Sequence, residues 1–180
     1  EERPITVTLQ YTEHEHRYVP KLSSDGKIWA PIAKQDIKIL GDGKKVQLSL
    51  KVGPEPLWVS AQEIFDNDQY LAWIEELGQL PYVQQSLLGK SVEGRDIFKL
   101  ETVQADQKKY VFFVGRQHPP EVTGALAMVP YIERVLAQDE LATEFRRQFG
   151  ILIVPNLNPD GVFHGNWRHN VNGIDLNRDW

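Results

Sequence analysis

The stretch YVFFVGRQHPPE, residues 110–121, joins the pattern of a buried strand to two side chains that can bind a metal. Its first five residues are almost all apolar, which is typical of a strand in a sheet that is covered on both faces. His118 and Glu121 then stand three positions apart, directly after that strand. Ligands of open α/β sheets gather at the carboxyl ends of strands, so the segment predicts a sheet with a site at its edge.

A second apolar run, residues 151–154, follows two helical patterns at 122–137 and 139–149. Strand, helix and strand in this order predict a parallel pair in an α/β sheet. Pro130 is expected to kink or split the first of these helices, because proline removes a backbone donor. Residues 87–100 predict a β-hairpin further upstream.

The beginning of the chain has a different pattern. Apolar and polar residues alternate along 5–9 and 46–52, which is typical of strands with one buried face. His14 and His16 also alternate, and we expect both on one solvated strand face rather than in a metal site. The sequence therefore predicts a small, sandwich-like all-β domain at 1–59 and a mixed α/β domain at 60–180.

The first helix of the second domain has a clear start signal. Ser60 and Glu63 have the spacing of a capping box, which satisfies the free amides of a helix N-terminus. The apolar residues that follow, from Tyr70 to Leu77, repeat at helical spacing, and Gly78 ends the pattern.

Composition restricts the classes of function. The chain has 180 residues, a net charge of −5 and no cysteine. An acidic chain gives no electrostatic reason to bind nucleic acid, and no apolar run is long enough to span a bilayer. Without thiolates, a zinc site must use nitrogen and oxygen ligands. The start at Glu1 and the lack of cysteine favour an exported bacterial protein over a cytoplasmic one.

The last 25 residues contain more polar groups that could do chemistry. Asn158-Pro159-Asp160-Gly161 follows the second apolar run, and Arg168, Asn177 and Arg178 come after it. Arginine is the preferred fork for a carboxylate and can stabilise developing negative charge. Taken alone, this stretch also fits a turn-rich surface loop, and His164 and His169 are alternative metal ligands.

Together these segments resemble the zinc carboxypeptidase family, the relatives of carboxypeptidases A and B. The resemblance covers about residues 68–180 and is nearer to the His-Pro-x-Glu version of the cytosolic and bacterial members. The matching motifs, in order, are the opening hairpin Leu88-Gly89-Lys90-Ser91-Val92-Glu93-Gly94-Arg95, His118/Glu121, Asn158 to Gly161, Arg168, and Gly173-Ile174-Asp175-Leu176-Asn177-Arg178.

The resemblance implies a role for each matched residue. His118 and Glu121 would be the first two ligands of a zinc cofactor, Arg168 would polarise the scissile carbonyl, and Asn177 and Arg178 would bind the free C-terminal carboxylate of a peptide substrate. It also implies a third ligand, a tyrosine and a general-base glutamate beyond residue 180. We therefore expect the 180-residue piece to be inactive by itself.

Three further expectations follow. An unfinished sheet would leave an exposed edge and apolar surface, which an oligomer or a further chain segment would cover. A zinc-dependent deacylase or amidase on the same scaffold is the alternative enzyme, and Asn177-Arg178 favours the peptidase. The alternative from another class is a catalytically silent binding protein that uses its β-rich domain.

Overall fold

The computed structural model describes residues 1–103 and 109–179 of the chain. The chain divides into two compact units, Glu1–Ile64 and Phe65–Trp180. This division lies close to the boundary predicted after residue 59, and the status of the units as separate domains stays a prediction. No described helix is long and apolar enough to cross a membrane, and the predicted export stays a prediction.

The first unit is built from two three-stranded antiparallel sheets. In the first, β5 lies between β1 and β4; in the second, β2 lies between β3 and β6. Val46, Leu48 and Leu50 are buried on one side of β5, as the predicted alternation requires. The six strands are β1 (Arg3–Gln10), β2 (Lys21–Ser23), β3 (Ala30–Pro31), β4 (Ile37–Leu40), β5 (Lys45–Val52) and β6 (Trp58–Ser60).

The prediction that His14 and His16 share a solvated strand face is wrong. Both lie in the irregular segment between β1 and β2. The ring of His16 packs against those of Tyr11 and Tyr18, with centroids 5.7 and 4.7 Å away, and its Nδ1 lies 2.9 Å from the Tyr11 hydroxyl. Aromatic packing therefore overrides the alternating pattern.

The second unit contains one four-stranded sheet with the order β7-β8-β10-β9. Strand β10 is parallel to β9 and antiparallel to β8, so the predicted mixed α/β sheet is confirmed. The elements are α1 (Asn67–Gly78), β7 (Val83–Lys90), β8 (Asp96–Thr102), β9 (Tyr110–Val114), α2 (Val122–Val135), α3 (Glu140–Gln148), β10 (Gly150–Val154) and α4 (Pro159–His164).

The core of this unit lies between the sheet and its helices. Leu100 of β8 and Ile151 and Ile153 of β10 are at most 1% exposed and form one cluster with Ile74 of α1 and Ile132 of α2. Each such side chain contributes about 1.5–3 kcal/mol when fully buried. This packing fixes β10, and with it the loops at its carboxyl end.

Strand β9 differs from the expectation of burial on both faces. It is an edge strand of the sheet, and Tyr110 and Phe112 are 58% and 55% exposed. The two residues alternate, so they lie on the same face of the strand. The exposed edge and apolar surface expected of an unfinished sheet are present here, whereas a partner that covers them stays a prediction.

The predicted start of the first helix is wrong, and of the predicted kink or split at Pro130 the split is absent. Helix α1 begins at Asn67, and its capping box is formed by Asp66 and Gln69 rather than by Ser60 and Glu63. Ser60 pairs with Lys21 in the β2–β6 ladder, so it belongs to a strand and does not cap a helix. Helix α2 runs through Pro130 without being split.

Candidate metal centre

The loop 115–121 begins where the parallel strands β9 and β10 end. The amide of Gly115 donates to the carbonyl of Val154 at 2.9 Å, and the carbonyl of Gly115 accepts from the amide of Leu157 at 3.1 Å. A Cβ on Gly115 would lie 2.4 Å from the carbonyl oxygen of Pro155, so only glycine fits. The loops after the two strands are thereby held against each other.

His118 and Glu121 meet in this loop. Nδ1 of His118 lies 2.8 Å from Oε1 of Glu121. The His118 residue is 6% exposed, whereas the side chain of Glu121 is 65% exposed. An imidazole nitrogen and a carboxylate oxygen, both common zinc ligands, therefore face each other at the boundary between interior and solvent.

Asp175 holds the opposite side of the His118 ring. Its Oδ1 lies 2.9 Å from Nε2 of His118, and its Oδ2 accepts from Nε of Arg168 at 2.6 Å. The backbone amide of Asn177 donates to Oδ1 at 3.0 Å as well. One carboxylate thus connects the loop after β9 with the two arginine-bearing segments that follow α4.

This network changes the acidity of its members. The hydrogen bond from His118, followed by those from the Asn177 amide and Arg168, holds the pKa of Asp175 well below its usual range, against the opposing effect of burial. The hydrogen bonds to Asp175 and then to Glu121 raise the pKa of His118. An ionised Asp175 keeps Nε2 of His118 protonated, which leaves Nδ1 as the nitrogen that can bind a metal.

The donor set fits zinc, with one gap. His118 and Glu121 offer one nitrogen and one oxygen donor. The other ring nitrogen of His118, Nε2, is hydrogen-bonded to Asp175. Histidine ligands of metals usually donate their other N–H to a carboxylate in this way. Within residues 1–103 and 109–179, no group of three or more metal-binding side chains is assembled. A catalytic zinc site needs three protein ligands, and His118 and Glu121 are candidates for two of them.

Asn177 and Arg178 lie in the turn directly after Asp175. Both residues are exposed, and the amide of Arg178 donates to the carbonyl of Asp175 at 2.9 Å. Nη1 of Arg178 donates to the carbonyl of Asn177 at 2.8 Å, and no carboxylate in the described part of the chain pairs with this arginine. The two side chains are therefore open to solvent close to the His118 network.

The Asn-Pro-Asp-Gly segment acts as a scaffold for the site. Oδ1 of Asn158 accepts from the amide of Gly161 at 3.0 Å and caps α4, while Nδ2 donates to the carbonyl of Gln117 at 3.2 Å. The side chain of Gln117 in turn donates to the carbonyl of Leu176 at 3.1 Å. These contacts join the His118 loop to the turn that carries Arg178.

The alternative ligands, His164 and His169, lie elsewhere. Nε2 of His164 is 2.8 Å from Glu93, and both side chains are partly exposed. His169 is exposed, and neither histidine contacts the Glu121 carboxylate in the described structure. His118 is therefore the better candidate for a metal ligand.

Asp175 is the residue that the sequence analysis missed. It was quoted within the Gly173–Arg178 motif but received no role. The signal was present, since a metal-binding histidine is commonly paired with a carboxylate. Choosing Asp175 over the nearby Asp179 required the fold, because only the folded chain shows which carboxylate reaches Nε2.

The comparison with known families decides the assignment of the chain. The zinc carboxypeptidase model, Peptidase_M14, matches residues 70–180. The chain belongs to the zinc carboxypeptidase family. This confirms the resemblance drawn from the motifs.

Individual members of the family agree with this assignment. Cytosolic carboxypeptidase 6 of Caenorhabditis elegans is 33% identical over 135 residues, which are 71% of this chain and 29% of that protein. The structure of a metallo-carboxypeptidase from Burkholderia cenocepacia is similar over 98% of this chain and 49% of its own, with a TM-score of 0.83 and 26% identity.

A metallo-carboxypeptidase from Pseudomonas aeruginosa, solved in complex with (2-guanidinoethylmercapto)succinic acid, is similar over 100% of this chain and 52% of its own. Its TM-score is 0.76, and it is 26% identical. The chain thus spans about half, or less, of the length of these relatives.

Proposed function

We propose that this chain supplies two zinc ligands and the carboxylate-binding side chains of a metallocarboxypeptidase, which removes C-terminal residues from peptides. The observation that carries the proposal is the 2.8 Å contact between Nδ1 of His118 and Oε1 of Glu121, with Asp175 on the other ring nitrogen. Membership of the zinc carboxypeptidase family supports it.

Bound zinc would polarise the scissile carbonyl and activate water. In the proposed site, His118 binds through Nδ1, because Asp175 engages Nε2 and fixes the tautomer. Glu121 contributes its solvent-facing carboxylate. The third protein ligand and the general base are expected beyond residue 180, so the activity is a property of the full-length protein.

Arg168 is proposed to bind the carbonyl oxygen of the scissile bond. Asp175 accepts from Nε at 2.6 Å and fixes the direction of the guanidinium group. Of the described residues, Asp175 is the one hydrogen-bond partner of the Arg168 side chain, which leaves both Nη atoms for a substrate. Such a donor stabilises the negative charge that develops on the oxygen in the transition state.

Asn177 and Arg178 are proposed to bind the C-terminal carboxylate of the substrate. Both are exposed beside the site, and Arg178 has no carboxylate partner in the described part of the chain. The Pseudomonas aeruginosa relative was solved with a succinic acid derivative, a ligand that carries carboxylates as a peptide C-terminus does. A guanidinium fork binds such a group with two parallel hydrogen bonds.

The test is zinc-dependent cleavage of a short peptide by the full-length protein, with the C-terminus either free or amidated. We expect chelation to abolish activity, added zinc to restore it, and only the free-acid peptide to be cleaved. Equal cleavage of the amidated peptide would favour the amidase alternative. Activity that persists without metal would contradict the zinc proposal.

Arg178→Met is expected to lower kcat/KM for the free-acid peptide by about 100-fold, because the substrate carboxylate loses its charged partner. Arg134→Met is the matched control. Arg134 pairs with Asp139 on an exposed surface, so its loss should leave kcat/KM unchanged. Equal effects of the two substitutions would refute the proposed role of Arg178.

Arg168→Gln is expected to reduce kcat by about 10²- to 10³-fold with a much smaller change in KM, as for loss of a donor to a developing oxyanion. Steady-state kinetics at saturating zinc measure the effect. The metal content should stay equal to that of the wild type, since Arg168 reaches His118 only through Asp175. A rise in KM without a fall in kcat would instead assign Arg168 to ground-state binding.

A further inference from the structure

Arg116 lies two positions before His118, and the proposed mechanism gives it no task. We propose that Arg116 is a positioning residue, which holds the 116–121 turn in the shape that brings the two zinc donors together. The inference rests on the proposed zinc site. Three features of Arg116 support it: the contacts of its guanidinium group, the lack of an anionic partner, and its backbone conformation.

The guanidinium group of Arg116 connects two stretches of backbone. Nε donates to the carbonyl of Pro119 at 2.7 Å, and Nη1 donates to the carbonyl of Phe65 at 2.7 Å. Pro119 stands between the two proposed ligands, and Phe65 lies just before the N-terminus of α1. The side chain therefore ties the ligand loop, from inside, to a helix that belongs to the core.

The surroundings of Arg116 indicate a geometric role rather than an ion pair. The residue is 9% exposed, and no carboxylate among the described residues pairs with it. Its remaining neighbour is Tyr70, whose hydroxyl is 3.5 Å from Nη1 and whose ring centroid is 5.7 Å from the guanidinium carbon. A planar fork can reach two carbonyls at once, whereas the single ammonium group of a lysine has a different geometry.

The backbone of Arg116 points to the same role. Its φ angle is +51°, and it is the one residue other than glycine with positive φ in the described structure. Side chains with a Cβ rarely adopt this conformation, and glycine adopts it freely. An arginine at a position suited to glycine implies that the contacts of its guanidinium group compensate for the backbone strain.

Arg116→Gly and Arg116→Lys separate these effects in the full-length protein. Glycine keeps the positive φ without strain and removes the side chain, while lysine keeps the charge and the Cβ but not the fork. If the guanidinium group positions the ligands, the dissociation constant for zinc should rise about 10- to 100-fold in the glycine variant and about 10-fold in the lysine variant. Competition with a chromogenic chelator measures this constant.

Arg146→Lys is the matched control. Arg146 is also buried, at 3% exposure, and its Nη1 donates to the carbonyls of Val135 and Ala137 at 2.7 Å each. Arg146 lies in α3 and binds carbonyls at the C-terminal end of α2, away from the ligand loop, so its substitution should lower stability and leave zinc affinity within about two-fold of the wild type. If Arg146→Lys lost as much zinc affinity as Arg116→Lys, the loss would reflect general destabilisation of the protein. That result would overturn the proposal.

A second measurement does not depend on zinc. The amides of Glu121 and Val122 donate to the carbonyls of His118 and Pro120. Hydrogen exchange at these amides should be about 10-fold faster or more in both Arg116 variants and unchanged in Arg146→Lys. Zinc binding and exchange rates equal to the wild type in Arg116→Gly would overturn the positioning role. If the wild type binds no zinc, the proposed function fails and the exchange rates alone decide the role of Arg116.

Discussion

His118→Ala is expected to leave the full-length protein without stoichiometric zinc and to lower kcat/KM by about 10³-fold or more. Zinc supplies several kcal/mol of transition-state stabilisation, and each 1.4 kcal/mol is about a factor of ten in rate. The substitution removes the buried nitrogen donor and leaves the solvent-exposed carboxylate of Glu121 without its neighbour. Metal analysis after dialysis, together with the peptide assay, measures both effects.

His164→Ala is the control for this experiment. Nε2 of His164 lies 2.8 Å from Glu93, the same distance that separates His118 from Glu121. The His164 pair is partly exposed and is not bound to a second carboxylate as His118 is bound to Asp175. Its removal should change neither zinc content nor activity. Retention of zinc in His118→Ala, or its loss in His164→Ala, would move the metal site to another histidine.

Asp160→Ala is expected to destabilise the second unit by about 3 kcal/mol. Asp160 is 1% exposed and accepts from the Ser91 hydroxyl at 2.7 Å, the Glu93 amide at 3.0 Å and Nη1 of Arg95 at 2.7 Å. Its loss leaves these donors facing an apolar methyl group, and each unsatisfied buried donor costs about 1–3 kcal/mol. Nη1 of Arg95 retains its contact with the Glu93 carboxylate, which limits the total.

Hydrogen exchange of the Ile151 and Ile153 amides reports on this unit, because both residues lie in its core strand. Asp96→Ala is the control, because Asp96 lies in the β7–β8 hairpin, whose turn residues bind Asp160. The carboxylate of Asp96 pairs with Lys90 at an exposed position, so the loss should be below about 1 kcal/mol. Equal protection of these amides in Asp160→Ala and Asp96→Ala would show that the buried contacts add nothing.

The contribution of Asp160 should also depend on pH. Burial opposes its ionisation, but the hydrogen bonds from Ser91, the Glu93 amide and Arg95 outweigh that effect and lower the pKa. A carboxyl group with a lowered pKa stabilises the folded state fully above its unfolded pKa of about 3.9. The difference in stability between the wild type and Asp160→Ala should therefore be constant above about pH 5 and shrink as the pH falls through the folded pKa.

Local sequence patterns were sufficient where neighbouring residues decide the structure. The apolar run before Gly115 formed β9, and the run ending at Val154 formed β10. The predicted start of α1 failed because Ser60 and Glu63 have the same spacing as Asp66 and Gln69, and only strand pairing with Lys21 distinguishes the two sets. The spacing of a capping motif does not show whether its residues are instead paired in a β-sheet.

Burial was predicted less well than secondary structure. The residues of β9 are apolar enough for a covered strand, yet β9 lies at the sheet edge and Tyr110 and Phe112 on one of its faces are exposed. His16 shows the opposite error, since it packs against two tyrosine rings and is half-buried. Exposure depends on which elements become neighbours, and the alternation of residues along one strand carries no such information.

The sequence by itself determined the family, the order of strands and helices in the α/β unit, and the pair His118 and Glu121 as candidate zinc ligands. Only the tertiary structure decided that Asp175 holds Nε2 of His118 and that Arg116 reaches the carbonyls of Pro119 and Phe65. The physical reason is distance along the chain. Two residues three apart can meet through one turn, whereas Asp175 reaches His118, and Phe65 reaches Arg116, only after the sheet and helices have packed.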